Sequence, residues 1–244
     1  MSKTAGIVII GNEVLSGKTQ DMNSYFLCRE LRTLGVEVQR ILVIPDEIQL
    51  IGKEIVPFSR QWDLVFITGG VGPTHDDVTM AGIAHGFGVK LIRHYDLERR
   101  LHERHGENIN QARLKMAEVP EGAELIGEGS LYAPVVRFHN VYIFPGIPKI
   151  LHERFHVIKE RFRDTPFFLK IVYVKEGEGV IASTLNNLLV SFPNLLLGSY
   201  PVLGDPSFKV KVTLESKDEN YLDQALKKLL DTLPRGAIHQ IERK

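Results

Sequence analysis

The chain has 244 residues, 43% of them hydrophobic and 25% charged, an ordinary globular composition with room for one large domain or a medium and a small one. Thirty basic residues balance thirty acidic ones, so overall charge favours neither a nucleic-acid partner nor a membrane surface. No apolar run is long enough to span a bilayer, the amino terminus lacks signal-peptide order, and the single cysteine, Cys28, cannot form an internal disulfide; a cytoplasmic protein is expected.

Residues 5–10 are continuously apolar, as in a strand covered on both faces. A helix is predicted over 21–34: Leu27, Leu31 and Leu34 recur at helical spacing, Asp21 caps it and Gly35 ends it. Cys28 lies among those leucines as a structural thiol. A second strand, 36–44, stops at Pro45. Ile48, Ile51, Ile55 and Phe58 mark another helix, which Pro57 should kink or end. Residues 64–67 form a third buried strand, followed by a glycine-rich turn, the adjacent Asp76 and Asp77, and a helix. Alternation of buried strand and amphipathic helix predicts a three-layer α/β domain over residues 1–165, with a mostly parallel sheet and helices on both faces.

Further on the pattern changes. Residues 95–117 are charged and helical and read as a surface excursion. Val135–Phe138 and Val141–Phe144 flank His139 and Asn140, the pattern of a hairpin with a two-residue turn. Pro145 and Pro148 lead into a helix reaching about Arg163, and 164–166 read as a linker. Strand 168–174, helix 179–191, strands 195–200 and 208–215, helix 218–232 and a last strand near 237–241 then give a βαββαβ order, a small α+β domain over 166–244.

In an open parallel sheet, ligands bind beyond the carboxyl ends of the strands. Three strand ends here carry acids: Glu13 after Gly11 and Asn12, Asp46 and Glu47 after Pro45, and Asp76 with Asp77 after the glycine turn. Glycines let backbone N–H groups approach an anion, and a following helix amino terminus adds a favourable dipole. A phosphate shares such a place with carboxylates when a divalent cation lies between them. The bland alternative is that Asp46 and Asp76 or Asp77 cap the helices that follow. Three acidic ends on one rim, beside a phosphate-type turn, favour a site.

Two motifs are set aside. Gly11 to Thr19 resembles a P-loop, but five residues rather than four separate the first glycine from Gly17-Lys18. His152-Glu153-Arg154-Phe155-His156 matches the two-histidine zinc pattern, and Glu176 lies twenty residues beyond it. Arg154, Lys159, Arg161 and Arg163 crowd that helix, and Leu151, Phe155, Ile158 and Phe162 define its buried face, so a solvated flank is expected for both histidines.

The stretch Gly69-Gly70-Val71-Gly72-Pro73-Thr74-His75-Asp76-Asp77 and the loop Pro145-Gly146-Ile147-Pro148 resemble the two signature loops of the molybdopterin-binding domain. That domain occurs in molybdenum cofactor biosynthesis proteins, in CinA and in eukaryotic FAD synthase. Gly11-Asn12-Glu13, Gly17, Asp21, Asn23 and Asn110-Gln111-Ala112 are similar to the CinA-like branch. Thr19-Gln20-Asp21, Phe26-Leu27-Cys28-Arg29, Val141 to Pro145 and Gly198-Ser199-Tyr200-Pro201 are similar to the amino-terminal region of eukaryotic FAD synthase. Asn12 stands where the family commonly has Asp, and the resemblance, which does not extend to an adenylyl-transfer domain within residues 1–244, does not imply FAD synthesis.

The resemblance implies a small-molecule nucleotide or pterin as ligand, and a homo-oligomer, dimer or trimer. It implies metal-dependent hydrolysis of nucleotide diphosphates such as ADP-ribose or FAD. Asp76 and Asp77 would hold magnesium, manganese or cobalt, and Asp46 and Asp77 would be catalytic, Asp46 orienting or deprotonating the attacking water. Gly11, Glu13, Thr68, Gly69, Gly70, Gly72, Pro73 and Thr74 would line the ligand, with Pro145, Gly146 and Pro148 closing its far side. Two alternatives stay open: a molybdopterin-binding or adenylating protein, and a non-catalytic nucleotide-binding module.

Overall fold

The computed structural model describes residues 2–127 and 134–243. It divides into two compact units, Met1–Asp164 and Thr165–Lys244. In the first, β1 (Thr4–Ile10), a helical turn α1 (Asn12–Leu15), α2 (Asn23–Thr33), β2 (Glu37–Ile44), α3 (Ile48–Gln61), β3 (Leu64–Thr68) and α4 (Thr79–Phe87) follow in order. Next come β4 (Leu91–Arg93), α5 (Tyr95–His105), α6 (Gln111–Lys115), β5 (Glu118–Pro120), β6 (Glu124–Ile126), β7 (Val135–Phe138), β8 (Val141–Phe144) and α7 (Pro148–Ile158). The main sheet has the order β2-β1-β3-β8-β7-β6, with β2, β1, β3 and β8 paired in parallel and β7 alone reversed, antiparallel to both β8 and β6.

The continuous apolar strands are explained by two cores, one on each face of this sheet. Ala5, Ile7, Ile9, Phe66, Tyr142 and Phe144 point to one face, where Leu27 and Leu31 of α2 and Leu151, Phe155 and Ile158 of α7 cover them. Val8, Ile10, Val65, Ile67, Val141 and Ile143 point to the other, under Ile51, Ile55 and Phe58 of α3 and Ile83 of α4. Strand side chains alternate with a period of two, so only a sheet covered on both sides buries every one of them.

Helix α2 stops where expected. Gly35 has φ +80°, and Val36 N–H reaches back to the Leu31 carbonyl at 2.9 Å, a Schellman ending. Helix α3, by contrast, continues through Pro57 to Gln61. Pro57 sits on the exposed side, and the burial of Ile55 and Phe58 on either side of it, about 1.5–3 kcal/mol each, offsets the lost hydrogen bond. Helices α3 and α4 meet at glycines: a methyl on Gly52 would stand 2.8 Å from Gly86 Cα, and one on Gly82 would stand 2.6 Å from Ile51 Cβ.

The expected hairpin is present, with Phe138 paired to Val141 and φ +53° at His139. The Asn140 side chain donates to the Trp62 carbonyl at 2.7 Å and so ties this turn to the start of β3. Residues 95–117 are not simply a surface excursion. Leu97, Leu114 and Ala117 are buried, β5 pairs with β4, and Leu97 and Ala117 join the second core. Nor is Asp164 a loose linker residue, because its carboxylate accepts from Lys3 N–H at 2.9 Å and its own N–H donates to the Leu34 carbonyl at 2.8 Å.

The second unit comprises β9 (Phe168–Val174), α8 (Glu178–Ser191), β10 (Leu196–Pro201), β11 (Val210–Ser216), α9 (Glu219–Thr232) and β12 (Ile238–Arg243). Its antiparallel sheet has the order β10-β11-β9-β12, a ferredoxin-like arrangement. Val172, Val174, Val212 and Leu214 pack against Ile181, Leu185, Leu222 and Leu226 of its two helices.

Candidate functional site

Strands β1, β2, β3 and β8 end level with one another: Ile10 pairs with Ile44, Ile9 with Thr68, and Thr68 with Phe144. Their carboxyl ends therefore share one rim. The chain leaves β1 toward the α2 face and leaves β3 toward the α4 face. That divergence between neighbouring strands opens a crevice at the rim, the usual ligand position of an open parallel sheet.

Glycines line this crevice because backbones and carboxylates crowd it. Gly69 has φ +104°, and a methyl there would lie 1.9 Å from the Ile10 carbonyl oxygen. Gly70 has φ +61°; its methyl would be 2.4 Å from Thr79 Oγ1 and 3.4 Å from Asp46 Oδ1. A methyl on Gly72 would meet Asp77 Oδ2 at 2.7 Å, one on Gly11 would meet Glu13 Oε1 at 2.6 Å, and one on Gly146 would meet Gly69 Cα at 3.4 Å. Glu13, Asp46, Asp77 and the Pro145–Gly146 loop thus gather around the glycine turn.

The acids do not cap the helices. Helix α3 starts without a side-chain cap, and the Asp46 carboxylate instead accepts from Asn12 N–H across the rim at 2.8 Å. Burial raises the Asp46 carboxyl above its ordinary range. The Asn12 N–H opposes that, and the negative charges of Glu13, Asp76 and Asp77 add to it. Helix α4 also lacks a side-chain cap; Asp77 Oδ2 accepts within the loop from the Thr74 N–H at 2.8 Å and the Thr74 hydroxyl at 2.5 Å. Asp76 is exposed, and hydrogen bonding from Thr74 and from its own backbone holds its carboxyl low, helped by the charges of His75 and Lys115.

Thr68 was expected to line the ligand. It is 1% exposed; its hydroxyl donates to the Pro145 carbonyl at 3.0 Å and accepts from the Asn23 amide at 2.9 Å. It is a tie between loops, not a wall of the crevice. Asn23 also donates to the Gly146 carbonyl at 2.8 Å, fixing the far loop, while Asp21 accepts from Asn23 N–H at 2.9 Å and so anchors the start of α2. Gly69 is buried as well, whereas Glu13, Pro73, Thr74, Gly146 and Pro148 are exposed at the rim. Asn23, one of the residues that carried the CinA-like resemblance, takes part in this way, and so does one residue that the sequence reading did not single out: Lys115, whose ammonium donates to the Thr74 carbonyl at 2.5 Å.

Among the described residues, no three His, Cys, Asp or Glu side chains converge to hold a metal by themselves. Asp76 and Asp77 are two adjacent hard oxygen donors at an open rim. That donor set fits magnesium, which commonly takes one or two carboxylates and completes its shell with substrate phosphates and water.

The paired histidines of α7 lie elsewhere. His152 is not a solvated flank: its ring stacks on Phe26 at 3.7 Å, and its Nε2 is buried without a hydrogen-bond partner among the described residues. His156 meets the edge of the same ring at 5.6 Å and has Nδ1 3.7 Å from Glu30 Oε2, beside the Lys159–Glu30 pair at 2.9 Å.

Residues 6–164 match the family described as a probable molybdopterin binding domain, and residues 166–242 match the middle domain of FAD synthase. A probable FAD synthase of Caenorhabditis elegans is 35% identical over 95% of this chain and 50% of that protein. A CinA-like protein of Thermotoga maritima is 30% identical over 94% of this chain and 58% of its own length. The chain therefore spans about half the length of these curated relatives. The crystal structure of CinA from Thermoplasma acidophilum, described as of unknown function, superposes with a TM-score of 0.61 at 30% identity, covering 66% of this chain and all of that one. No helix among the described residues is long and apolar enough to cross a membrane. The loops that gather at the rim are those that carried the sequence resemblance, and the chain belongs to the molybdopterin-binding-domain family, in its CinA-like branch near the FAD synthases.

Proposed function

We propose that this protein hydrolyses the diphosphate bond of nucleotides of the ADP-ribose or FAD class, with a divalent cation. The observation that carries the reading is Asp46. It is a half-buried carboxylate that caps no helix, is oriented by Asn12 N–H, and has its affinity for a proton raised beside the glycine turn. A base poised nearer neutrality than an ordinary carboxylate suits the activation of water. Kinship to FAD synthases supports a nucleotide ligand.

In this reading the glycine turn offers backbone N–H groups to the diphosphate, and Asp76 and Asp77 hold the cation. When bound, a divalent cation neutralises phosphate charge and polarises the bridging P–O bond. Asp46 takes a proton from the water that attacks phosphorus; the P–O–P bridge breaks, giving AMP and FMN from FAD, or AMP and ribose 5-phosphate from ADP-ribose. Gly146, Pro145 and Pro148 bound the far side of the ligand. The test is to incubate the purified protein with FAD, ADP-ribose and coenzyme A under magnesium, manganese or cobalt and to measure AMP release and, for coenzyme A, adenosine 3′,5′-bisphosphate. Turnover should vanish in chelator and return with metal; full turnover with metal shown absent overturns the reading. The family description favours a pterin as a second reading. Binding of molybdopterin without hydrolysis of any of the three nucleotides would select it.

A further inference from the structure

Lys115 reaches the site from a segment distant in sequence. Helix α6 is capped by Asn110, whose side-chain oxygen accepts from Arg113 N–H at 3.0 Å. Its end is fixed by the buried Leu114 and Ala117 and by His94 N–H donating to the Ala117 carbonyl at 2.9 Å. The backbone on both sides of Lys115 is thus held, and the side chain extends to the Thr74 carbonyl at 2.5 Å, 41 residues earlier in the chain. An ammonium has three N–H donors, and this carbonyl takes one. Lys115 forms no ion pair among the described residues, although its charge is felt at Asp76.

The electrostatic setting makes this lysine informative. Three carboxylates, Glu13, Asp76 and Asp77, act on a fourth, Asp46, beside the glycine turn. A diphosphate entering among them is repelled unless positive charge meets it. A cation on Asp76 and Asp77 supplies that on one side. Lys115 brings a compact point charge to the loop that carries those acids.

We propose that Lys115 is a phosphate-binding residue: its ammonium, held at the glycine turn by the Thr74 carbonyl, gives its remaining N–H donors to a phosphate oxygen of a nucleoside diphosphate. This deepens the hydrolase reading and rests on it for the nature of the ligand. The folded insertion between β4 and β5 then has a function at the site, that of delivering this cation.

The test separates charge from anchoring. Lys115→Gln keeps an N–H for the Thr74 carbonyl but removes the charge; Lys115→Arg keeps the charge. ADP and adenosine are titrated calorimetrically, with magnesium present, into wild type and both variants. Lys115→Gln should weaken ADP at least about tenfold, as expected for a hydrogen bond to a charged group, and leave adenosine unchanged. Lys115→Arg should recover part of the loss. Full ADP affinity in the Gln variant, equal loss of ADP and adenosine, or a wild type that does not bind ADP overturns the assignment. The two readings fail separately. Lysine-dependent ADP binding with no hydrolysis of FAD or ADP-ribose sinks the hydrolase alone. Hydrolysis with the same KM and kcat in wild type and Lys115→Gln sinks the lysine alone.

Discussion

Replacing Asp46 by Asn separates a base from a structural anchor. The side-chain oxygen of Asn still accepts the Asn12 N–H, held at 2.8 Å in the native protein, so the crossing between the β1 and β2 ends survives. What disappears is a charge that the fold tolerates poorly: burial and the neighbouring Glu13, Asp76 and Asp77 raise its pKa from the ordinary 3.8. For a carboxyl raised in the folded state, the native protein binds more protons than the unfolded chain. Its favourable contribution is complete below the ordinary value and is lost as pH rises through the raised one. At neutral pH the Asp46 charge is therefore a cost, and Asp46→Asn should melt at or slightly above the wild-type temperature. Activity should fall about 10²- to 10⁴-fold, the range for a lost general base, or about 2.7–5.5 kcal/mol of barrier. The assay is AMP release at saturating FAD or ADP-ribose with magnesium, alongside thermal melting and a pH profile of kcat/KM. The acid limb of the wild-type profile should lie above the ordinary carboxylate range. A variant that melts much earlier, with normal turnover per folded molecule, would show that Asp46 is an anchor and refute the mechanism.

Asp77→Asn keeps an oxygen for the Thr74 N–H and hydroxyl, so melting should stay within a few degrees of wild type, while the magnesium concentration giving half activity rises at least about tenfold in a metal titration. Gly69→Ala places a methyl 1.9 Å from the Ile10 carbonyl at φ +104° and should destabilise by about 2–5 kcal/mol, lowering the melting temperature by roughly 10 °C. Gly146→Ala, with its nearest contact at 3.4 Å, should melt close to wild type. His152→Ala with His156→Ala removes the stack on Phe26 and should cost about 1–2 kcal/mol in denaturant unfolding, with kcat, KM and bound metal unchanged; loss of a stoichiometric zinc in that double variant would reverse the assignment of these histidines to packing.

The centre of the parallel sheet was legible because residues 5–10 of β1 and 64–67 of β3 carry no polar side chain, and only two-sided cover explains such runs. The short elements were not. β4, β5 and β6 have three residues each, too few for any periodicity, and they form only where partner strands are in place. The 95–117 segment misled for a related reason. Leu97, Leu114 and Ala117 are single buried contacts among charged residues, so composition reads as surface although the backbone is folded onto the core. Pro57 misled through its position, since a proline on the solvent face costs the helix less than one turned inward.

At the site, the acids could be placed on one rim from sequence because parallel strands put all their ends on the same edge. Which acids are free for chemistry was not readable there. Asp46 and Asp77 both stand where caps are common, and only the observed hydrogen bonds, across to Asn12 in one case and back to Thr74 in the other, remove the capping role. Thr68 shows the converse: the last residue of a strand before a glycine turn looks ligand-facing, yet its hydroxyl is spent on Pro145 and Asn23. Lys115 is the case no local signal reaches, because its relation to Thr74 exists only once the insertion has folded against the second core. The acids at the strand ends follow from topology, but the cation held at Thr74 and felt at Asp76 follows from packing, and for that reason the charge balance of the rim emerges only in the folded chain.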